Sequence, residues 1–410
     1  MQFKQIQLGN GLSIIAEVNP AAASLATGFF VRTGSRDETP GVAGVSHFLE
    51  HMLFKGTDRR SPFDINLEFD RLGAMYNAFT SEENTVYFAA VLPEFQTPVL
   101  DLLGDMLRPA LRGKDFDMEK KVILEEIALY QDRPQHRLFE KLMAQYFGEH
   151  PLSHSVLGTS ESITALARQA MLEYFSQRYS PGNVTLVGAG RVDWDAFVAK
   201  AEQMCGHWKP YPVDRATPPA TGTRLVNTIR DEKLLQQHAG MMSPAPGAQD
   251  DRRYAASLLS TILGDHTGSR LFYALIEPAI AEQASSVHEE LDGTGAFITF
   301  VSAEPARMDE ALRIVRREYD RFAVEGPAAE EVVAAKNKIA SAATLKGELP
   351  MGRLTTVGFD WVYRRAYQPL AEDIERILAV TDREIHDLAR HSRMTDWSVL
   401  GLGPKEFIQG

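Results

Sequence analysis

The stretch GVSHFLEHMLFKGT, residues 44–57, constrains this chain more than any other. It places His47, Glu50 and His51 among Phe48, Leu49, Met52, Leu53 and Phe54. Read as a helix, the segment is apolar nearly all round, and such a helix belongs inside a protein. Its few polar side chains then need partners, because a buried unsatisfied polar group costs on the order of 1–3 kcal/mol. Positions three and four apart share one helix face, with Cβ atoms roughly 5–6 Å apart. His47 and His51 therefore aim two imidazoles at one point. That suits a tetrahedral Zn²⁺, whose nitrogen ligands sit about 2.0–2.1 Å away. Glu50 lies beside them, poorly placed as a third ligand from this helix but near enough to reach a water on the metal. The plainer alternative, a polar helix face with two ordinary histidines, fits badly with the surrounding apolar residues.

Two imidazoles need a third protein ligand. Residues 118–131, MEKKVILEEIALYQ, offer Glu119, Glu125 and Glu126. At roughly 100° per residue, Glu126 shares a stripe with Glu119, Val122, Ile123 and Tyr130. The stripe holding Val122 and Ile123 is expected to face the core. Glu125 lies about a quarter-turn away, towards Lys121, where a solvated Glu–Lys pair is natural. The phase favours Glu126 as the ligand and sets Glu119, two turns earlier, where it could orient a metal-holding group. Periodicity alone leaves the choice between the glutamates open.

The rest of the first half mixes strands and helices. GLSIIAEV and SLATGFFVRTGS read as two strands, and MYNAFTSEENTVYFAAVL as two more. Helical patterns run over 93–109, 115–132, 134–147, 161–178 and 192–205, with a short buried strand at 182–190. The proline-rich stretch 207–222 blocks helix and central strand and reads as a linker. The order then repeats. TRLVNTIRD and LQQHAGMMSPAP mimic the opening strand pair. Helices are expected at about 250–263, 306–324, 328–346 and 371–390, with a strand near 296–302. This order predicts an α+β protein of two tandem homologous domains, each a mainly antiparallel sheet packed with helices. The expected domains are 1–206, carrying the metal site, and 223–410, a second copy without one.

Composition narrows the function. A net charge of −12 argues against nucleic-acid binding, which calls for a basic patch or stripe. The single cysteine, Cys205, excludes an internal disulfide framework and a thiolate metal cluster within one chain, and points to a reducing compartment, the cytoplasm. Cys205 itself reads as a buried small apolar residue. No signal peptide is visible, and no apolar run approaches the eighteen or so residues of a membrane span.

Taken together, these motifs resemble the inverzincin metallopeptidases, the family of pitrilysin, insulin-degrading enzyme and mitochondrial processing peptidase, whose signature is H-x-x-E-H. The likeness runs through GSRDETPGVAGVSHFLEHMLFKGT, NAFTSEENTVYFAAVLPE, EKKVILEEI and HPLSHSVLGTSESI, most of residues 25–165. It implies one zinc per chain on His47, His51 and Glu126, Glu50 as general base, and Glu119 supporting the site. It implies that the strand holding Asn77 and Ala78 binds substrate backbone as an added edge strand, a mode that grips extended peptide without demanding a sequence. It implies zinc-dependent cleavage of peptides or unfolded polypeptide inside a chamber. The family builds that chamber from four domains, so this two-domain chain is expected to pair with a second similar chain.

The second half departs from the resemblance. The family usually carries an Arg and a Tyr, seven residues apart, after an S-R-L-F segment. GSRLFYALIEPAIAEQASS keeps Ser269, Arg270, Leu271 and Phe272 but has Glu277 and Ala284 at those two positions. The expected partner is then either another copy or a paralogue that carries the Arg–Tyr pair. The alternative is a non-catalytic structural or peptide-binding subunit of the same fold.

Overall fold

Every residue of LATGFFV, Leu25–Val31, is buried, so this strand must be covered on both faces. The computed structural model, which describes residues 1–218 and 220–406, places it inside a six-stranded sheet. In chain order the strands are β1 (Gln2–Gln7), β2 (Ser13–Val18), β3 (Leu25–Val31), β4 (Met75–Thr80), β5 (Thr85–Val91), β6 (Val184–Gly190), β7 (Val226–Arg230), β8 (Gln237–Ala245), β9 (Gln283–Leu291), β10 (Thr294–Ala303) and β11 (Ser398–Gly403). The helices are α1 (Val45–Leu53), α2 (Pro62–Arg71), α3 (Gln96–Met106), α4 (Gly113–Gln131), α5 (Pro134–Phe147), α6 (Ser160–Ala165), α7 (Arg168–Arg178), α8 (Trp194–Cys205), α9 (Arg253–Gly264), α10 (Met308–Glu325), α11 (Ala329–Gly347), α12 (Pro350–Arg364), α13 (Leu370–Ala379) and α14 (Asp382–His391).

The described chain forms two compact units, the first made of residues 1–128, 154–216 and 345–368 and the second of the remainder. In the first, the sheet order is β1-β2-β6-β3-β5-β4, antiparallel except where β2 meets β6. In the second it is β7-β11-β8-β10-β9, antiparallel except where β7 meets β11. Without β1 the two orders are one pattern. The first and last strands of each unit run parallel side by side, and the third strand lies at the far edge. That identity of topology is the duplication expected from the order of elements.

Each sheet carries helices on both faces. In the first unit, Ala26, Phe30, Val86 and Val187 pack against Leu354, Val357 and Val362 of α12. Helices α1, α3 and α8 cover the opposite face. In the second, Leu138, Leu142 and Tyr146 of α5 pack on Met242, Ile298 and Leu402, and α9, α10 and α14 contribute to the core on the other face. The chain thus exchanges helices between its units. The stretch 207–222 contains one crossing, between Ala216 and Thr217, and four more lie elsewhere. Glycine permits the close approach of both exchanged helices. A Cβ on Gly358 of α12 would stand 2.3 Å from the Phe30 ring, and one on Gly240 of β8 would stand 2.8 Å from Leu142 of α5.

Several elements differ from the expected ones. The helix expected over 161–178 is broken between α6 and α7, and the one over 371–390 between α13 and α14. Thr381 starts α14 afresh: its side chain accepts the Glu384 N–H while the Glu384 carboxylate accepts its own. Strands β1, β9 and β11 and helices α2 and α12 lie in stretches where no element was expected.

Candidate metal centre

Helix α1 begins at Gly44, whose φ of 89° is left-handed. A Cβ there would lie 2.7 Å from both Leu157 O and Ile163 Cδ1, so glycine alone fits. The free N–H groups of the first turn point at a carboxylate: Glu38 accepts from Gly44 N at 2.6 Å and from Ser46 N at 2.7 Å. Burial pushes the Glu38 carboxyl up to about 8, against the lowering effect of these N–H donors. Ser46 and Thr33 both hydrogen-bond the Tyr174 hydroxyl, fixing the helix start from the other side. Val45, Phe48, Leu49, Met52 and Leu53 are buried, and the Phe48 ring stacks on Phe116 of α4 at 4.9 Å.

That contact sets the phase of α4. Its buried residues are Phe116, Glu119, Ile123 and Ile127, a stripe of spacing three and four. Val122, expected in the core, is instead 42% exposed. The buried stripe is rotated away from it, and Glu126 stands on its shoulder with its side chain 24% exposed. Glu125 is exposed.

The two helices bring three donors together. Glu126 Oε2 lies 3.4 Å from His51 Nε2 and 3.8 Å from His47 Nε2, and the imidazole centroids are 4.8 Å apart. Donors about 2.0–2.1 Å from a tetrahedral centre stand roughly 3.3–3.4 Å from one another, so these separations fit Zn²⁺ with small adjustments. Among the described residues, this is the one group of three or more His, Cys, Asp or Glu side chains arranged to hold a metal ion.

The donor chemistry agrees with the geometry. Glu119, 3% exposed, receives His51 Nδ1–H at 2.9 Å and the Lys55 ammonium at 2.7 Å. A proton held on Nδ1 leaves the Nε2 lone pair free for a metal. Burial favours the neutral Glu119 acid, but these two partners outweigh it and hold the carboxyl below its ordinary value. Burial, aided by the charge of His51, drives His47 down to about 3, which keeps it neutral, the form that can bind a metal. Burial acts the same way on His51, yet Glu119, Glu126 and Glu50 together raise it above its usual value. Glu50 is raised by burial, opposed by a hydrogen bond from Thr80 and by His51.

Strand β4 lies beside this group at the edge of its sheet and, among the described residues, pairs only with β5. The bond from Ser81 N to Asn84 O closes the β4–β5 turn and fixes which groups face inward. By alternation, the backbone groups of Tyr76, Ala78 and Thr80 face the open edge. Asn77 is exposed, and its side-chain oxygen accepts the Ala78 N–H at 2.9 Å. The Thr80 hydroxyl donates to Glu50 Oε2 at 2.7 Å.

In the second unit, Glu277 follows a π-helical turn over Phe272–Ile276, and Ala284 lies on β9, 9% exposed in the apolar core. Arg270 is committed to Glu331, at 2.7 Å, and to Gly326 O. Cys205 is buried and unpaired at the end of α8. No described helix is long and apolar enough to cross a membrane. Three residues that shape the metal group escaped the sequence reading. Thr80 sits two positions after Ala78, on the same strand face, which the period of a strand could have shown. Lys55 follows His51 by one helical turn. Glu38 acts from a loop, where no periodicity marks it.

Residues 13–160 match the family model described as insulinase (peptidase family M16), and 165–339 match the one described as the peptidase M16 inactive domain. A protein of Mycobacterium tuberculosis named "uncharacterized zinc protease" is 32% identical, covering 98% of this chain and 93% of its own length. Another of that description, YmxG of Bacillus subtilis, is 28% identical over 98% of both chains. The crystal structure of a protease from Helicobacter pylori shares the fold with a TM-score of 0.92 at 19% identity, covering 98% of this chain and 99% of that one. With two matched domains and full-length relatives named zinc proteases, this chain belongs to peptidase family M16.

Proposed function

We propose that this chain is a zinc-dependent endopeptidase acting on peptides or unfolded polypeptide segments, with one zinc held by His47, His51 and Glu126. The convergence of these three donors beside Glu50, with Glu119 behind His51, is the observation that carries the reading. When bound there, Zn²⁺ supplies Lewis-acid activation of water and of the peptide carbonyl. The protein supplies the rest. Glu119 holds His51 in the ligating tautomer. Glu50 takes a proton from the attacking water and passes it to the leaving amine. The peptide lies along the open edge of β4, where Ala78 offers its carbonyl and Asn77 its carboxamide NH2. Relatives named zinc proteases support the same chemistry. A buried, unpaired single cysteine fits a reducing compartment, the cytoplasm.

Glu277 and Ala284 offer no donor to a developing oxyanion, and one such donor is typically worth about 10²–10³ in rate. With two domains where the family's chamber has four, the chain is read as the zinc-bearing member of a dimeric chamber. Its partner is either a second copy or, as this loss favours, a paralogue that carries Arg and Tyr at the corresponding positions. The same loss is the one observation that favours a second reading, a non-catalytic peptide-binding subunit.

Peptidase assays on the zinc-loaded chain, with its mass in solution measured, separate these. The purified chain should be zinc-loaded but feeble, and an Arg–Tyr paralogue should raise kcat/KM by at least about 10²-fold. Glu50→Gln should keep zinc and peptide binding and lose turnover. Zinc retained with turnover intact in that variant would remove Glu50 as the base. A zinc-loaded chain that binds peptide but stays inert with every partner would favour the second reading.

A further inference from the structure

We propose that Thr80 is a positioning residue, whose hydroxyl fixes the Glu50 carboxylate and ties it to the strand along which the peptide lies. The inference rests on the reading of Glu50 as general base. A glutamate has three side-chain torsions, and one anchored only by its helix would spread over several rotamers. Among the described residues, the one hydrogen bond to the Glu50 carboxylate comes from Thr80 Oγ1, at 2.7 Å to Oε2. An O–H···O⁻ bond of that length is of the strong, charge-assisted kind. It occupies one carboxylate oxygen and leaves Oε1 as the proton-accepting atom.

Thr80 itself is well anchored. It ends β4 in register with Thr85, and the turn after it is closed by Ser81 N to Asn84 O and by Asn84 N to Ser81 Oγ. Its β-branched side chain restricts χ1, so the hydroxyl direction follows from the backbone. The backbone groups of Thr80 face the open edge of β4, the side an added strand would occupy. One residue therefore meets the incoming peptide through its main chain and the base through its side chain. A displacement of about 1 Å in a reacting group can cost roughly 10²-fold in rate, which sets the scale of the effect.

The test compares zinc-loaded wild type with Thr80→Val and Thr80→Ser. Valine keeps the branched shape and strand preference and removes only the hydroxyl. Serine keeps the hydroxyl. Thr80→Val should lower kcat by about 10–100-fold while zinc content and KM stay within about twofold, and Thr80→Ser should restore most of kcat. A crystal structure of zinc-loaded Thr80→Val should show the Glu50 carboxylate turned from its wild-type orientation. An unchanged kcat, a rise in KM alone, or an unmoved Glu50 would overturn the proposal. If Thr80→Val does not fold, Thr80→Ala takes its place in both measurements. If wild type stays inert with every partner, the assignment of Glu50 as base falls, and the crystal comparison still decides whether Thr80 sets its orientation.

Discussion

Glu119 offers a direct measure of how far the site depends on residues that would never touch the metal. Its carboxylate accepts His51 Nδ1–H at 2.9 Å and the Lys55 ammonium at 2.7 Å, and it is 3% exposed. Glu119→Gln preserves size and one acceptor oxygen but removes the charge. A hydrogen bond to a charged group is worth about 1.5–3 kcal/mol against about 0.5–1.5 for a neutral one. The His51 imidazole is therefore held less firmly and made less basic. Lys55, with its side chain 35% exposed, turns to solvent at little cost. Removing such a supporting group typically costs 10–100-fold in metal affinity. At about 1.4 kcal/mol per tenfold, this is about 1.4–2.8 kcal/mol. The assay is titration of metal-free protein with zinc against a chromophoric chelator at neutral pH, with thermal melting of the metal-free form as a folding control. Glu125→Gln, one residue before Glu126 but exposed, is the matched control and should bind zinc as wild type does. Wild-type affinity in Glu119→Gln, or equal weakening in Glu125→Gln, would refute the assigned phase of α4 and the role given to its charge.

His51→Ala should lose stoichiometric zinc on dialysis against a chelator, since two protein ligands hold the metal poorly; full zinc by elemental analysis would remove His51 from the site. Zinc affinity should fall on acidification. Because His51 is held above its usual 6.5, the metal-free site takes up a proton as pH falls through that raised value, and zinc must then displace it. Below that point the affinity should drop roughly tenfold per pH unit, with His47, at about 3, adding nothing until far lower; a flat profile by calorimetry would contradict this. Gly44→Ala should lower the melting temperature of the metal-free protein by several degrees, because it combines a φ of 89° with a Cβ 2.7 Å from Leu157 O; an unchanged melt would show that the helix start relaxes freely.

What could be read in the sequence was whatever left a periodic or local trace. His47 and His51 share a helix face by spacing alone, and the α4 phase favoured Glu126 over Glu125 without settling the choice, although it put Val122 on the wrong side. That error arose because the stripe was centred on two apolar residues, whereas the structure centres it on Glu119 and Ile123. A buried carboxylate with an imidazole and an ammonium as partners behaves as a core residue, and hydropathy cannot show that in advance. Helix α2 carried a legible start in Ser61, Pro62 and Asp64, a capping box with proline at its first position. The exchange of α5 and α12 left no trace at all. An apolar helix face records that it will be buried, never which sheet will bury it.

The duplicated topology shows why one unit concentrates the polar cost of a metal group and the other does not. Helix α1 follows β3 and lies against β4; α9 follows β8, the strand in the corresponding place, and lies against β9. In α1 a polar contact joins helix and strand, where Glu50 meets Thr80 through a hydrogen bond. In α9 the sequence RYAASLLSTILG contains neither histidine nor acid, and Leu258, Leu259, Ile262 and Leu263 join the apolar core. Its end approaches β9 so closely that a Cβ on Gly264 would stand 2.2 Å from Ser286 N. Burying imidazoles and carboxylates is costly unless each finds a partner. A copy with no metal to hold gains stability by replacing them with close-packed aliphatic side chains, and function no longer opposes the change. The reverse holds in the first unit. There Glu38 accepts the N–H groups that start α1, Glu119 accepts from His51, Lys55 pairs with Glu119 and Thr80 donates to Glu50, so the candidate metal group comes with a whole layer of polar support that the second unit could lose.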